Sequence, residues 1–223
     1  MASGIFGGDR HSKADPPDLI TDPDEKAKRE ASNALRQVDA VYEVIDNWLQ
    51  PERPFRLRPS TILHLHRVAL EGISSYAGLW RPAGVSIEGS NHAPVGAHLV
   101  AESIEDMCDY VNANWHKSAI HLSSYVMWRL NWIHPFSDGN GRTARAASYV
   151  VLNVRLGYRI PGTRTIPDQI VENRKPYYKA LEAADGAQTN GRTDVSAMEE
   201  LLEGMLAAQL LSVIEQATAN RGN

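Results

Sequence analysis

The sequence predicts an all-α domain, a helical bundle with one small β-hairpin flap, on three observations. Apolar residues recur at three- and four-residue steps through most of the chain, the spacing that lines one face of a helix. Helix starts and stops flank those runs, with Asp22–Pro23 ahead of the first and Gly157 behind a later one. One stretch, residues 77–96, has no helical spacing and carries instead a β-like core at Val85–Ile87 among glycines and prolines.

Taken in order, residues 1–21 are rich in Gly, Pro, Asp and Ser and read as a mobile arm. Asp22 caps the first helix, with Pro23 at its first position and Glu25 where a capping box wants an acid. Ala31, Ala34, Leu35, Val38, Val41, Tyr42, Ile45, Trp48 and Leu49 form its apolar stripe, which burial would explain. Prolines in "PERPFRLRP" (51–59) end that helix. Ile62, His66, Ala69, Leu70 and Ile73 mark a second helix, and "AGLWRPAGVSIEGSNHAPVG" (77–96) is an irregular hairpin or flap. Further helices follow over about 100–115, 119–133, 142–156, 168–174 and 176–185. "DGAQTNGRTD" (185–194) reads as a loop, and Met198 to Val213 as a last amphipathic helix. No repeat or internal boundary is visible, so residues 22–217 are expected to be a single domain and 218–223 a tail.

Composition narrows the function classes. Apolar residues make up 43% of the 223, enough for a sizeable core. A net charge of −4 and a pI near 6.1 argue against a general nucleic-acid binder. No apolar run is long enough to span a bilayer, so no membrane partner is expected. Residues 1–19 lack the apolar core of a signal peptide. Cys108 is the single cysteine, which excludes an internal disulfide and fits a reducing compartment. The expected location is cytoplasmic, with export as an effector left open.

"NWIHPFSDGNGRTAR" (131–145) concentrates polarity between two helices. Gly139 and Gly141 let successive backbone N–H groups point to one side, just ahead of a helix N-terminus that favours anions. Arg142 and Arg145 follow on one helical face, and arginine forks suit phosphate oxygens. Asp138 adds a hard oxygen ligand, and Mg²⁺ commonly combines one or two carboxylates with substrate phosphates. The set describes a site for a metal-bound polyphosphate, most simply a nucleotide. His134 stands where a neutral imidazole could take a proton from an attacking hydroxyl. Phe136 is the loop's apolar anchor. A calcium loop fits less well, since Arg142 falls where a third ligand should be, and neither a GxxxxGK[ST] loop nor a GxGxxG turn is present. His64, His66, His116 and His121 are taken as structural.

"HPFSDGNGRTAR" (134–145) resembles the Fic-domain signature HxFx[DE]GNGRxxR at every fixed position. "GLWRPAGVSIEGSNHAP" resembles that family's flap and "IPDQI…RKPYYKALEAAD" the segment after its signature helix, so the resemblance covers about residues 25–215. It implies a Mg²⁺-dependent protein adenylyltransferase, which moves AMP from ATP to a Ser, Thr or Tyr hydroxyl of a target protein (AMPylation). By the match, His134 is the general base and Asp138 holds Mg²⁺. Gly139, Asn140 and Gly141 form the anion hole, while Arg142 and Arg145 hold the β- and γ-phosphates. The flap at Val85, Ser86 and Ile87 would take the target segment as an added strand. The Doc branch, which phosphorylates its target, carries Lys where this chain has Gly141, so "GNGR" points to AMP transfer. Transfer of another phosphate-containing group, and a non-catalytic nucleotide- or protein-binding module of the same fold, stay open as alternatives.

Many members of this family also carry a [ST]xxxE[GN] helix whose glutamate pairs with the second signature arginine. No full match exists here; "SAMEEL" (196–201) comes nearest, with Ser196 and Glu200 in place and Leu201 out of it. Inhibition then has three candidate sources: a small antitoxin-like partner protein, Glu200, or none. Trp115, Trp128 and Trp132 could shape an adenine pocket, though packing is the commoner fate of helix-spaced aromatics. Tyr177 or Tyr178 could flank the nucleotide, and Arg81 with Glu88 could stiffen the flap.

Overall fold

The computed structural model describes residues 12–13 and 19–219. The helices are α1 (Pro23–Trp48), α2 (Pro59–Leu70), α3 (Val100–Ala113), α4 (Ala119–Ile133), α5 (Asn140–Leu156), α6 (Ile166–Glu172), α7 (Arg174–Thr189) and α8 (Ser196–Ala219). Two short strands, β1 (Ser12–Lys13) and β2 (Ser86–Ile87), and a 3₁₀ turn at Ala97–Leu99 complete the described elements. The architecture is therefore mostly helical, as the apolar spacing requires.

α4 and α5 form the centre. α4 is buried on almost every side, and its Ser123 hydroxyl meets that of Ser148 on α5 at 2.8 Å. Small side chains at that contact let the two helices approach closely. The apolar residues of α2, α3, α7 and α8 pack around this pair in one cluster. Its largest members include Trp128, Phe136 and Tyr177, all fully buried. The loop between α4 and α5 is thus held at both ends by the most rigid part of the molecule.

The caps explain where the helices stop. Asp22 Oδ1 accepts from the Glu25 N–H at 2.8 Å, and Pro23 opens α1. Gly157 takes a left-handed conformation at φ +85° and closes α5. α6 begins earlier than the apolar spacing predicts, because Thr165 and Asp168 form a reciprocal capping box.

Three expectations need correction. α7 runs on to Thr189, so the first half of the 185–194 segment continues the helix through Gly186. The stripe of α1 is not fully buried: Leu35 is 72% exposed and Val38 50%. Val38 borders the groove that α1 forms with α5 and α6, while Leu35 lies outside that groove. The flap is no hairpin of its own: among the described residues β2 pairs only with β1, antiparallel, Ser12 opposite Ile87 and Lys13 opposite Ser86. The mobile arm read over 1–21 lies mostly outside the described residues. The tail read over 218–223 lies outside them beyond Ala219, where α8 ends. No helix among the described residues is long and apolar enough to cross a membrane.

Candidate active site

The chain leaves α4 at His134, which caps that helix in the left-handed region at φ 53° and ψ 59°. His134 is the sole non-glycine residue with positive φ among the described residues. A side-chain-bearing residue in that region costs roughly 1–2 kcal/mol, and such strain concentrates at functional positions. The conformation turns the ring, 6% exposed, onto the cleft that Asn131, Asp138, Gly139, Asn140, Gly141, Arg142 and Arg145 line with it. Its Nδ1 donates to the Asn131 carbonyl at 3.2 Å. That bond puts the proton on Nδ1 and leaves Nε2 as the basic nitrogen.

Phe136 pins the loop. Its ring is fully buried and stacks on the His66 imidazole, centroids 3.6 Å apart and planes within 5°. Asn140 closes the turn from within. Its Oδ1 accepts from the Phe136 N–H at 2.9 Å and its Nδ2 donates to the Phe136 carbonyl at 2.8 Å. The Asn140 side chain is therefore a brace, and what it offers an anion is backbone. Gly139, at φ +77°, opens α5, and the Asp138 carboxylate accepts its N–H at 2.6 Å.

His66 supports the loop from beneath, in the structural role expected of it. Its Nδ1 accepts from the Gly78 N–H at 2.9 Å, so Nε2 donates to the Asp138 carbonyl at 3.0 Å. Burial holds this ring neutral and lowers its pKa to about 4. With the folded value below the unfolded 6.5, the unfolded chain binds the proton more readily between those limits. Stability is then fully present above pH 6.5 and falls as pH drops towards 4. Urea unfolding at pH 7 and pH 5 is expected to differ by about 2 kcal/mol from this ring alone. In His66→Gln that component should disappear; an unchanged pH dependence in the variant would refute the assignment.

Four cationic side chains organise the rest. Arg145 is largely desolvated, which lowers its pKa; the groups acting on it are Tyr177, Arg174, Arg142 and Tyr178, with no carboxylate among the described residues. Arg142 reaches Glu30 on α1, Nη2 to Oε1 at 3.2 Å. Arg174, at the start of α7, lines the same cleft. The fourth, Arg81, is 3% exposed and spends its donors on backbone. Nε donates to the His134 carbonyl at 2.7 Å, Nη1 to Ala83 at 2.9 Å and Nη2 to Val95. The flap is stiffened by Arg81 through these carbonyls, which tie both its roots to the residue that carries the imidazole. Arg81→Ala is expected to lower stability by about 2–4 kcal/mol, since it strands three carbonyls. Urea unfolding of the wild type and the variant checks the loss.

Sequence reasoning missed Glu30 and Arg174, and valued Arg81 for a different contact. Glu30 stands 112 residues from its partner, and no local pattern marks such a pair. Arg174 was signalled only by its place in "RKPYY". Tyr177 and Tyr178 both line the cleft, Tyr177 accepting from Asn131 Nδ2 at 2.8 Å. Trp128 is fully buried, bonded to Asp185, and Trp115 stacks on Phe55. Trp132 packs under Arg129, and none of the three lines the cleft. Val85 precedes β2; Ser86 is exposed, while Ile87 lines the cleft beside His134. Glu200 is exposed on α8 and is not among the lining residues.

Asp138 is the one carboxylate among the described residues that lines the cleft. No group of three metal-ligating side chains gathers among the described residues. The donor set suits a divalent ion that brings its other ligands with it on a phosphate chain, and does not suit a resident metal cage.

A match to the family described as Fic/DOC covers residues 56–152. The protein adenylyltransferase fic-1 of Caenorhabditis briggsae is 28% identical over 158 residues, 69% of this chain and 29% of that protein. The protein adenylyltransferase Fic of Drosophila virilis is 32% identical over 159 residues, 69% of this chain and 30% of that protein. The chain thus spans under a third of the length of these curated relatives. Among solved structures, Fic-1 (residues 134–508) of Caenorhabditis elegans superposes with a TM-score of 0.68 at 22% identity, covering 90% of this chain and 55% of that one. The N-terminal Fic domain of a Bartonella effector protein gives 0.55 at 18% identity, covering 83% and 84%.

Proposed function

We propose that this chain, which carries a Fic/DOC-family domain over residues 56–152, is a protein adenylyltransferase: it moves AMP from ATP to a Ser, Thr or Tyr hydroxyl of a target protein. The observation that carries the reading is the joint placement of His134, Asp138, the Gly139–Gly141 turn, Arg142 and Arg145 on one cleft. The names of the curated relatives support the same chemistry.

In this reading the backbone N–H groups opening α5 and the guanidinium of Arg145 receive the phosphate chain. Arg142 leaves Glu30 to join them. The tautomer fixed by the Asn131 carbonyl lets His134 Nε2 accept the proton of the incoming hydroxyl. That oxygen bonds to the α-phosphorus, the bond to the β-phosphate oxygen breaks, and pyrophosphate leaves. Asp138 would hold Mg²⁺, which supplies charge neutralisation at the phosphates. Most of the rate gain comes from positioning and fixed charge. The edge at Ser86 and Ile87 would receive the target backbone as a strand, which gives register with little demand on sequence. ATP is the co-substrate. The setting that fits is the cytoplasm, where ATP is abundant and the buried Cys108 thiol, its pKa pushed up to about 12 by burial, meets no oxidant. Inhibition by a small antitoxin-like partner remains part of the proposal, since Glu200 sits away from the cleft.

Incubating the chain with Mg²⁺ and lysate proteins, using ATP labelled at the α- or the γ-phosphate in parallel, tests the reading. Transfer of the α-label alone is expected. Transfer of the γ-label would replace adenylylation by phosphorylation, and binding of ATP without transfer of either would favour the non-catalytic module.

A further inference from the structure

A cationic groove lies at the N-terminal end of α2 and stands apart from the adenylyltransferase reading. It has a volume of about 900 Å³ and opens between the C-terminal end of α1, residues 53–58 and the first turns of α2. Arg53, Arg56, Arg58 and His64 line it, all four exposed, and no carboxylate among the described residues does. Arg53 donates to the neutral Asn47 Oδ1 at 3.1 Å, and no salt bridge among the described residues engages Arg56 or Arg58. The whole chain carries −4, so three clustered guanidinium groups oppose the sign of the molecule. Ser60 and Thr61 open α2 on the same groove, where Arg58 precedes the helix without a side-chain cap, so the positive end of the helix adds to the field.

The backbone under these arginines is set for pairing. Asn112 on α3 bonds both main-chain groups of Leu57: its Oδ1 accepts from the Leu57 N–H at 2.8 Å and its Nδ2 donates to the Leu57 carbonyl at 3.0 Å. One amide reaches both only where they point to the same side, as in an extended chain. Arg58 is extended as well, at φ −133° and ψ 149°. Arg56 and Arg58 therefore project to the face opposite the buried Leu57, about 7 Å apart. The Arg56 N–H and carbonyl point away from Asn112, and neither has a hydrogen-bond partner among the described residues. An extended peptide laid beside this segment finds main-chain partners at Arg56 and a side-chain spacing equal to its own.

The surroundings select among anions. Phe55 stacks on Trp115 with centroids 4.3 Å apart and meets Trp48 edge-on at 5.2 Å, while the Arg53 guanidinium lies over Trp48 at 4.7 Å. Rings engaged in this way offer no open stacking platform to a nucleic-acid base. None of the large apolar side chains exposed among the described residues lines the groove, so nothing there inserts into a bilayer. We propose that this groove docks an acidic segment of a partner protein in extended form, with carboxylates at alternate positions meeting Arg56 and Arg58.

Fluorescence anisotropy of a labelled peptide that alternates Glu with Thr, titrated with the full chain, is the test. Saturable binding that weakens with added salt is expected, and the same peptide with Lys in place of Glu should not bind. The double variant Arg56→Glu, Arg58→Glu should bind at least about tenfold more weakly. Its melting temperature and ATP affinity should stay those of wild type, since both side chains are exposed and neither lines the catalytic cleft. Arg142→Ala, in the cleft, should bind the peptide as wild type does. Loss of binding in Arg142→Ala with binding kept in the double variant would place the peptide on the cleft and overturn the proposal. So would absence of peptide binding, or equal binding by wild type and the double variant. Tighter binding of single-stranded oligothymidylate, or of vesicles containing phosphatidylserine, would assign the groove to a nucleic acid or a membrane and overturn it as well.

Discussion

His134→Ala is expected to lower the turnover of AMP transfer by about 10²- to 10⁴-fold, the range a positioned general base contributes. The affinity for ATP should stay within about threefold, because no phosphate contact is assigned to the ring. The split follows from geometry. The imidazole is oriented from two sides, Nδ1 by the Asn131 carbonyl and the main chain by Arg81 Nε. Neither contact involves the arginines or the turn that would grip the phosphates. His134→Asn is the sharper variant. Asn tolerates the left-handed region better than most residues and still offers a polar group, yet it lacks a basic nitrogen. A loss as deep as that of His134→Ala assigns the effect to proton transfer; recovery of most activity in His134→Asn would assign it to loop shape. Single-turnover kinetics and calorimetry together decide.

Gly139→Val is the second large effect, and it acts on the fold as well as the site. The backbone there has φ +77°, and a Cβ would lie 2.6 Å from Leu70 Cδ2 and 3.3 Å from His66 Cδ2. The left-handed conformation costs about 1–2 kcal/mol for a residue with a Cβ. Overpacking against buried neighbours adds about 1–3 kcal/mol. For a chain of this size the melting temperature should fall by roughly 5–15 °C. Transfer should be lost as well, because the displaced groups include His66, the ring that stacks on Phe136 and holds the Asp138 carbonyl. Gly141→Ala is the control. Its Cβ would meet Arg145 Nη1 at 3.4 Å, an ordinary contact, at an ordinary φ, so the melting temperature should move by less than about 2 °C. Equal shifts in the two variants, read by calorimetry, would refute the account.

The loop was legible because its signals are local. Glycines, two arginines three residues apart and a helix start lie within a dozen positions, so the Arg142, Arg145 and Asp138 grouping follows from spacing alone. The helices were legible for the same reason, through apolar periodicity and the Asp22 and Gly157 caps. What escaped depends on partners remote in sequence. Glu30 meets Arg142 across 112 residues, and Ser12 meets Ile87 across the whole of α1 and α2. Arg81 was visible as a charge beside a flap, and nothing in the sequence says that its guanidinium ends on three carbonyls. Residues 185–194 read as a loop, yet α7 continues through Gly186 to Thr189 because Tyr177, Ala180, Leu181 and Ala184 already fix that helix in the core; tertiary packing outweighs a cost of about 1 kcal/mol. Leu35 and Val38 misled in the opposite sense, since periodicity identifies a face without saying whether anything covers it.

The Glu30–Arg142 pair has a thermodynamic consequence. Under the adenylyltransferase reading, the Arg142 guanidinium already has a counter-ion in Glu30, so an arriving triphosphate must take over a cation in service elsewhere. The net gain at Arg142 is the difference between two anionic partners, and by linkage any event that draws α1 away from the cleft tightens nucleotide binding by the amount the carboxylate had withheld. Nucleotide occupancy and the seating of α1 are thereby conjugate quantities: each reports on the other, and saturating one loosens the other.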